Sequence, residues 1–330
     1  GGELLDAIRL TLIGRGRTVP TASGARPYIN FDNAASTPAF ASVWNVARRT
    51  WRQRVQVQEA VIEEARAICA DVLGASLSRY NVLFTTNTTE AINLVADSLS
   101  REFPVAADNT VINTLLEHNS NELPWRRHGT EVIRLGIDDE GFVKPAELET
   151  ILREYNEKHT YGARRVRLVA VSGASNVLGV FNDLDLLSEI THRYGARLLV
   201  DGAQLVAHRK VDMAGTGIDY LAFSGHKAYA PFGSGALIAG KELLLFDDTE
   251  FAAIREAAEE NPGGIAALGK ALHLLKRIGF DRIQAEEQTL TARALRGMAA
   301  VPRIRIFGTA DPDSPAFAHK GGVIPFDLNG

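Results

Sequence analysis

Two residues near the middle of the chain, Asp201 and Lys227, are of types that could act together on one small molecule. Asp201 ends an apolar run that starts at residue 198, and Lys227 follows a second apolar run and the string Ser-Gly-His. Both runs have the length and composition of buried strands. In open α/β sheets, ligands bind beyond the carboxyl ends of the strands. We therefore expect the two strands to deliver a carboxylate and an amine to one crevice.

A carboxylate beside an amine is the pairing that pyridoxal phosphate requires. The cofactor's aldehyde must be held by a lysine, and its ring nitrogen must stay protonated to withdraw electrons from the substrate. A neighbouring carboxylate favours the protonated nitrogen, and partial desolvation lowers the pKa of a lysine so that it can attack as a neutral amine. Either residue alone could equally be a strand-end turn residue or a solvated lysine. The whole string with its neighbours favours the cofactor.

The segment 85–90, Thr-Thr-Asn-Thr-Thr-Glu, could anchor the phosphate of such a cofactor, because it follows an apolar strand and opens a helix. Backbone amides and hydroxyls at a helix N-terminus bind anions. Asn87 with Glu90 also has the pattern of a capping box, and the two interpretations are compatible. Ser224 and His226, which precede the lysine, could add donors to the same phosphate.

Three further residues lie after predicted strands. His118 follows the strand 110–113 and could stack on an aromatic ring and transfer protons, although a lone loop histidine is more often structural. Asn176, in the segment 174–179, and Gln204, just after Asp201, could each donate to the phenolic oxygen of the cofactor.

The elements that must position these residues alternate along the chain. Predicted strands cover 81–85, 110–113, 131–135, 167–171, 197–201, 220–224 and 235–239, and amphipathic helical periods cover 88–99, 122–127, 145–155 and 184–194. Alternation of this kind indicates an α/β fold with a mostly parallel central sheet flanked by helices.

After residue 261 the pattern changes to two long helical periods, 265–278 and 281–298, and then to edge-like strands near 303–307 and 322–326. We predict a large cofactor-binding domain over 31–262 and a smaller α+β domain formed by 1–30 and 263–330. Because its last strand would leave an open sheet edge, the smaller domain is expected to be incomplete at its C-terminal end.

The composition favours a soluble globular protein. The 330 residues carry a formal net charge of −4, which gives no indication of nucleic acid or an anionic membrane as a partner. Runs of about 18 apolar residues are absent, so we expect no membrane span. A single cysteine excludes an intrachain disulfide and favours the cytoplasm. No metal site is predicted.

Two other classes of protein, a nicotinamide-binding enzyme and a non-catalytic scaffold, fit the sequence less well. A nicotinamide-binding enzyme would need a G-x-G-x-x-G turn between a strand and a helix, whereas the nearest candidate, at 233–235, precedes a strand. A non-catalytic scaffold of the same fold would need neither Asp201 nor Lys227. An enzyme is therefore favoured.

Taken together, these segments resemble the class V aminotransferase family of fold-type I pyridoxal-phosphate enzymes, and most of all the cysteine desulfurases and selenocysteine lyases. The matching segments, in the order found in that family, are 31–36, 85–91, 117–125, 175–179, 201–204, 224–227 and 322–327. The resemblance implies a homodimer that acts on an amino acid through an external aldimine. The reaction would be sulfur or selenium abstraction that leaves alanine.

The resemblance also implies roles for individual residues. Lys227 would form the Schiff base, Asp201 would pair with the pyridinium nitrogen, and His118 would stack on the ring. The remaining implied cofactor contacts are Asn176 and Gln204 at the phenolic oxygen, and Thr88, Thr89, Ser224 and His226 at the phosphate.

The sequence departs from that family in ways that bear on the reaction. Asn87 stands where a glycine is usual, and Glu259 stands where desulfurases usually have a threonine that reaches the partner subunit's cofactor phosphate. Desulfurases use a late cysteine as nucleophile, whereas the only cysteine here, Cys69, falls on the apolar side of a predicted helix. A class V aminotransferase, lyase or epimerase without a catalytic cysteine remains the alternative.

Overall fold

The computed structural model describes residues 2–105, 108–127 and 129–328. Its first elements are a helix, an exposed hairpin and two further helices: α1 (Gly2–Arg9), β1 (Thr18–Thr21), β2 (Gly24–Pro27), α2 (Ala41–Thr50) and α3 (Val55–Val72). The α/β part follows, with β3 (Tyr80–Thr85), α4 (Thr88–Glu102), β4 (Asn109–Thr114), α5 (Leu123–Arg127), β5 (Glu131–Leu135), α6 (Pro145–Leu152), β6 (Arg165–Ser172), α7 (Leu184–Arg193), β7 (Arg197–Asp201), α8 (Met213–Thr216), β8 (Tyr220–Ser224) and β9 (Gly235–Gly240). The last elements are α9 (Asp248–Glu259), α10 (Pro262–Ile278), α11 (Phe280–Ala299), β10 (Ile304–Ile306) and β11 (Phe326–Leu328).

One seven-stranded sheet has the order β3-β9-β8-β7-β6-β4-β5. Four of its pairings are parallel, and only β9 runs against its two neighbours. Because β9 is antiparallel to both β3 and β8, these two strands point the same way. The carboxyl ends of β3, β4, β6, β7 and β8 therefore meet at one edge, and the predicted mostly parallel sheet is confirmed.

Both faces of the sheet are covered, which explains why its strands are almost wholly apolar. Along β7, Leu198 and Val200 belong to the hydrophobic cluster on one face, whereas Leu199 belongs to the cluster on the other. This alternation follows from the two-residue repeat of a strand. Residues of α3, α7 and α10 fill the first cluster, and residues of α4 fill the second.

The predicted bounds of three strands, 131–135, 197–201 and 220–224, coincide with the observed ones. The late strand predicted at 322–326 is misplaced, because β11 lies at Phe326–Leu328, where it pairs with β10 in a separate two-stranded sheet. The preceding segment instead packs on the loop after β6, where the Gly321 N–H donates to the Gly179 carbonyl at 2.7 Å. The hairpin β1–β2 and the helices α2 and α9 were not predicted.

The two predicted domains remain a prediction, and Gly1, Asn329 and Gly330 at their ends lie outside the described residues. The N-terminal helix does contact the late part of the chain, since Arg9 of α1 forms an ion pair with Glu286 of α11 at 2.7 Å. Within the described ranges, no helix is long and apolar enough to cross a membrane.

Candidate active site

One cavity of about 630 Å³ opens at the edge where the parallel strands end. Every residue predicted to bind a cofactor lines it, and these are Thr88, Thr89, His118, Asn176, Asp201, Gln204, Ser224, His226 and Lys227. They come from five strand ends that are separated by up to about half of the chain. The fold therefore brings together the residues that the sequence analysis grouped by chemistry.

The acid and the amine are delivered by neighbouring strands. Asp201 is the last residue of β7, in register with Ala222 of β8, and Lys227 lies in the short 3-10 turn that follows β8. That turn begins at Gly225, whose N–H donates to the Ser234 carbonyl at 2.7 Å. A Cβ at this glycine would lie 2.6 Å from the Ser234 hydroxyl, so the turn that aims Lys227 requires glycine.

Burial shifts the pKa values of both Asp201 and Lys227. Asp201 is 5% exposed, and desolvation raises its pKa, although the Ala203 N–H (2.9 Å) and the charge of Lys227 oppose the rise. Burial lowers the pKa of Lys227, while the charge of Asp201 acts against that change. The lysine therefore has a larger neutral fraction than a solvated lysine, and the acid is a buried charge that would be stabilised by a further cationic group.

The N-terminus of α4 meets the end of β8 in the wall of the cavity. The Thr88 N–H donates to the Ser224 hydroxyl at 2.8 Å, and the two hydroxyls are 2.7 Å apart. Asn87 caps the helix by accepting from the Glu90 N–H at 2.9 Å. The second half of the predicted capping box is wrong, because the Glu90 carboxylate accepts from the Thr86 N–H at 2.6 Å instead.

His226, another residue of the cavity wall, has a polar atom that makes no hydrogen bond within the described part of the chain. Its Nδ1 is buried and has no hydrogen-bond partner among the described residues. Its ring stacks on Phe232 with centroids 4.5 Å apart, and its carbonyl accepts from the Thr37 N–H at 2.8 Å. Burial, and then the charge of Lys227, lower the pKa of this imidazole. The ring is therefore held in place with a free nitrogen.

The two amide side chains are held by different segments. Gln204 donates to the Ala34 carbonyl at 2.7 Å and so ties the segment before α2 to the cavity. Asn176 lies on the loop between Ser175 and Gly179, where Ser175 Oγ accepts from the Leu178 N–H at 3.0 Å. The Leu178 carbonyl in turn accepts a hydrogen bond from the ammonium of Lys320, a fully buried residue of the late chain.

His118 belongs to a hydrogen-bonded group that sequence analysis did not find. Its Nδ1 lies 2.8 Å from Ser120 Oγ, which lies 2.7 Å from Thr89 Oγ1. The preceding residue, Glu117, accepts from Ser172 N–H (2.9 Å) and from three side chains, and burial of its carboxyl raises its pKa to about 7. The available indications were an acid three residues after a strand, in the loop that leads to the histidine, and a serine two residues after the histidine.

Cys69 and Glu259, two residues at which the sequence departs from the desulfurases, both lie where they cannot take the usual desulfurase role. Cys69 is buried in α3 against the sheet, away from the cavity, and burial raises the pKa of its thiol to about 12. Glu259 Oε1 lies 2.6 Å from Arg66 Nη2 and 3.2 Å from Arg255 Nε. The thiol is therefore inert by position, and the glutamate is neutralised within its own chain.

The chain and this geometry are similar to known proteins. A family model described as aminotransferase class-V matches residues 29–321. A cysteine desulfurase of Dickeya dadantii is 37% identical over 293 residues, which are 82% of this chain and 66% of that protein. A probable cysteine desulfurase of Mycolicibacterium paratuberculosis is 34% identical, over 92% of this chain and 47% of that protein. The apo cysteine desulfurase structure from Thermococcus onnurineus NA1 superposes with a TM-score of 0.76 at 26% identity, over 91% of this chain and 78% of the other.

The chain thus spans about two thirds of the length of the Dickeya relative and about half of the mycobacterial one.

Proposed function

This chain belongs to the class V aminotransferase family, whose members use pyridoxal 5′-phosphate, and we propose that it acts on an amino acid in a cysteine desulfurase-like reaction. The observation that carries the proposal is the placement of Asp201 and Lys227 at adjacent strand ends in one cavity. The names of the curated relatives support the choice of desulfurase over other reactions of the family.

The residues present fit this cofactor in three respects. The buried Asp201 carboxylate forms no ion pair with any described residue, and a protonated ring nitrogen would supply one. His226 Nδ1 is a buried polar atom without a hydrogen-bond partner among the described residues, and His226 lines the same cavity as the N-terminus of α4, where anions are favoured. Lys227 is half-buried and carries an amine whose pKa burial lowers. When bound, pyridoxal phosphate supplies an aldehyde that captures amines and a ring that withdraws electrons.

We assign the remaining contacts by position in the cavity. Thr88, Thr89, Ser224 and His226 are proposed to hold the phosphate, because all four line the cavity and Thr88 and Ser224 are hydrogen-bonded to each other at the start of α4. Asn176 and Gln204 are proposed to orient the ring through its phenolic oxygen. His118 is proposed to cover one face of the ring, and Asp201 to hold a proton at its nitrogen.

Lys227 is proposed to move the proton at the substrate Cα once its amine is free. Its lowered pKa gives it a larger fraction of neutral amine, the form that can act as a base, than a solvated lysine has. His118 faces the same cavity and is proposed to assist as a second proton carrier.

Sulfur abstraction also needs a thiol that attacks the substrate sulfur. The only cysteine among the 330 residues, Cys69, is buried and strongly disfavours its thiolate, so it does not serve. We propose that the thiol comes from outside these residues. The same observation favours the second candidate, a class V aminotransferase, lyase or epimerase that needs no thiol.

Two experiments test this function. After loading with pyridoxal phosphate and reduction with borohydride, peptide mass analysis should find the cofactor on Lys227, and Lys227→Arg should abolish the adduct while the exposed Lys241→Arg should not. Unmodified Lys227 in the loaded protein would overturn the cofactor assignment. Incubation with L-cysteine, with alanine and sulfide quantified together, then separates a desulfurase from an enzyme that shifts the cofactor spectrum without releasing sulfide.

We further propose a cytoplasmic homodimer. Light scattering of the purified chain tests the stoichiometry, and fractionation of cells that express it tests the compartment.

A further inference from the structure

Ser120 bridges two residues of the cavity wall that belong to different elements. Its hydroxyl lies 2.8 Å from His118 Nδ1 and 2.7 Å from the hydroxyl of Thr89, the second residue of α4. Ser120 is 8% exposed, whereas His118 and Thr89 are exposed residues of the cavity wall, so the bridge is buried at its centre and open at both ends. The three side chains therefore form one continuous hydrogen-bonded chain.

The backbone of Ser120 determines which ring nitrogen of His118 carries the proton. The Ser120 N–H points at His118 Nδ1 over 3.2 Å, and the imidazole thereby caps the short 3-10 turn Asn119–Asn121. A backbone N–H can only donate, so Nδ1 must accept. In the neutral ring the proton then lies on Nε2.

We propose that Ser120 is a positioning residue for His118: its hydroxyl adds a second donor at Nδ1, holds the Nε2-protonated tautomer and links it to the anion-binding hydroxyl of Thr89. This inference rests on the proposed function only in that His118 and Thr89 face the cofactor. The turn itself does not need the hydroxyl, because the cap uses the backbone N–H.

Among the described residues, the nearby acid Glu117 does not compete for the hydrogen bonds that join His118, Ser120 and Thr89. The neighbouring carboxylate of Glu117 is bound to the side chains of Thr114, Asn121 and Ser172, so it is engaged away from the imidazole. The Thr89 hydroxyl lies 2.7 Å from Ser120 Oγ, and Thr89 also lines the cavity.

The number of hydroxyl protons shows that an anion bound at Thr89 must disturb the hydrogen bonds between Thr89, Ser120 and His118. Ser120 and Thr89 together bring two hydroxyl protons, which suffice for the contacts Thr89–Ser120 and Ser120–His118. An anion that accepts the Thr89 proton removes the hydrogen bond that Ser120 accepts from Thr89. Ser120 then either turns its proton to Thr89 and releases Nδ1, or keeps the bond to Nδ1 without the polarising donor behind it. Occupancy at Thr89 is therefore coupled to the hydrogen bond at His118 Nδ1, and the coupling is reciprocal in free energy.

The test measures His118 directly. The full chain is labelled with 15N-histidine, freed of cofactor, and studied by long-range 1H–15N spectra with and without inorganic phosphate, with the His118 signals assigned from His118→Asn. The wild type should show the Nε2–H tautomer and a shift of Nδ1 when phosphate binds. In Ser120→Ala, Nδ1 should be displaced before phosphate is added and its response to saturating phosphate should be lost.

Thr89→Val tests the same chain from the other end. It should keep the wild-type Nδ1 signal in the absence of phosphate, because Ser120 can still donate, but should lose the response. Ser100→Ala, which removes another hydroxyl of α4 far from the cavity, should behave as wild type. Should the Ser120 variant fail to fold, Thr89→Val alone decides the coupling.

Identical Nδ1 signals and phosphate responses in the wild type and Ser120→Ala would overturn the inference. A wild type that responds neither to phosphate nor to pyridoxal phosphate would overturn the coupling. These outcomes are independent of the borohydride adduct on Lys227, so the failure of one proposal is distinguishable from the failure of the other.

Discussion

Thr88 and Ser224 are joined by a 2.8 Å hydrogen bond from the Thr88 N–H to the serine hydroxyl, although 136 positions separate them. The contact fixes the N-terminus of α4 against the end of β8, which is the strand that leads to Lys227. The two halves of the proposed phosphate site are therefore held in register before any anion binds.

Ser224→Ala should weaken the binding of pyridoxal phosphate by about tenfold, since one hydrogen bond to a charged group contributes roughly 1.5 kcal/mol or more. Fluorescence titration of the cofactor-free protein measures the dissociation constant. Ser100→Ala serves as the matched control. Equal affinities for the Ser224 variant and the control would remove Ser224 from the phosphate site.

Asp201→Asn should raise the stability of the cofactor-free protein and lower the turnover of the loaded enzyme. Burial raises the pKa of Asp201, so its ionised form destabilises the cofactor-free protein at neutral pH. The amide should therefore raise the free energy of unfolding of the cofactor-free protein, since it removes the desolvation cost of a buried charge and can still accept from the Ala203 N–H. Turnover of the loaded enzyme should fall by roughly a hundredfold or more, because the ring nitrogen loses its counter-charge. Denaturant titration and steady-state kinetics measure the two effects, and an unaltered turnover would exclude the assigned role.

Glu287 of α11 should make the protein sensitive to acid. Despite the opposing effect of burial, hydrogen bonds and charges from His208 and Arg209 lower its pKa from 4.5 to about 2. A carboxyl with a depressed folded-state pKa stabilises the fold above its unfolded pKa, and that contribution is lost as the pH falls from about 4.5 towards 2. The full contribution is on the order of 3 kcal/mol.

Denaturant titrations of the wild type and Glu287→Gln between about pH 5 and 3 test this window. The wild type should lose stability more steeply than the variant. Parallel curves would show that the ion pairs with His208 and Arg209 do not stabilise the fold.

Lys320→Met should loosen the loop that carries Asn176. The buried ammonium donates to the carbonyls of Leu178 and, at 2.5 Å, Val323, and methionine would leave both carbonyls unsatisfied. A loss of about 1–3 kcal/mol in stability is expected for such groups. Hydrogen exchange at residues 176–179 should accelerate more than at the sheet, whereas the exposed Lys241→Met should change neither. Uniform acceleration over the whole chain would make Lys320 a stability residue without a specific effect on the loop.

Most of the sheet and the main site residues were predictable from sequence for a common reason. A strand that is buried on both faces is a short, almost wholly apolar run, and the polar residue that ends it stands out, as Asp201 does after Val200. The helix α9 was missed because none of its residues is buried, so it carries no strong apolar face. The strand β11 was displaced because the apolar segment before it packs on Gly179 and its neighbours.

The residues that sequence analysis missed act through contacts that no local pattern encodes. Ser120 reaches His118 only because a 3-10 turn folds the two side chains together. Lys320 meets Leu178 across 142 positions, and lysine is rarely fully buried, so its sequence context gave no indication of a core position.

The link between Lys320 and the Leu178 carbonyl also bears on how the protein emerges from the ribosome. Domains generally fold as units from the N-terminus during synthesis, at about 5–20 residues per second. The strands that carry Asp201 and Lys227 leave the exit tunnel well before Lys320 does, so the sheet can form while the Asn176 loop still lacks its clamp. We therefore expect nascent chains that end shortly before residue 320 to hold the cofactor's amine and acid but to bind the cofactor loosely, and the site to mature only once Lys320 has left the exit tunnel.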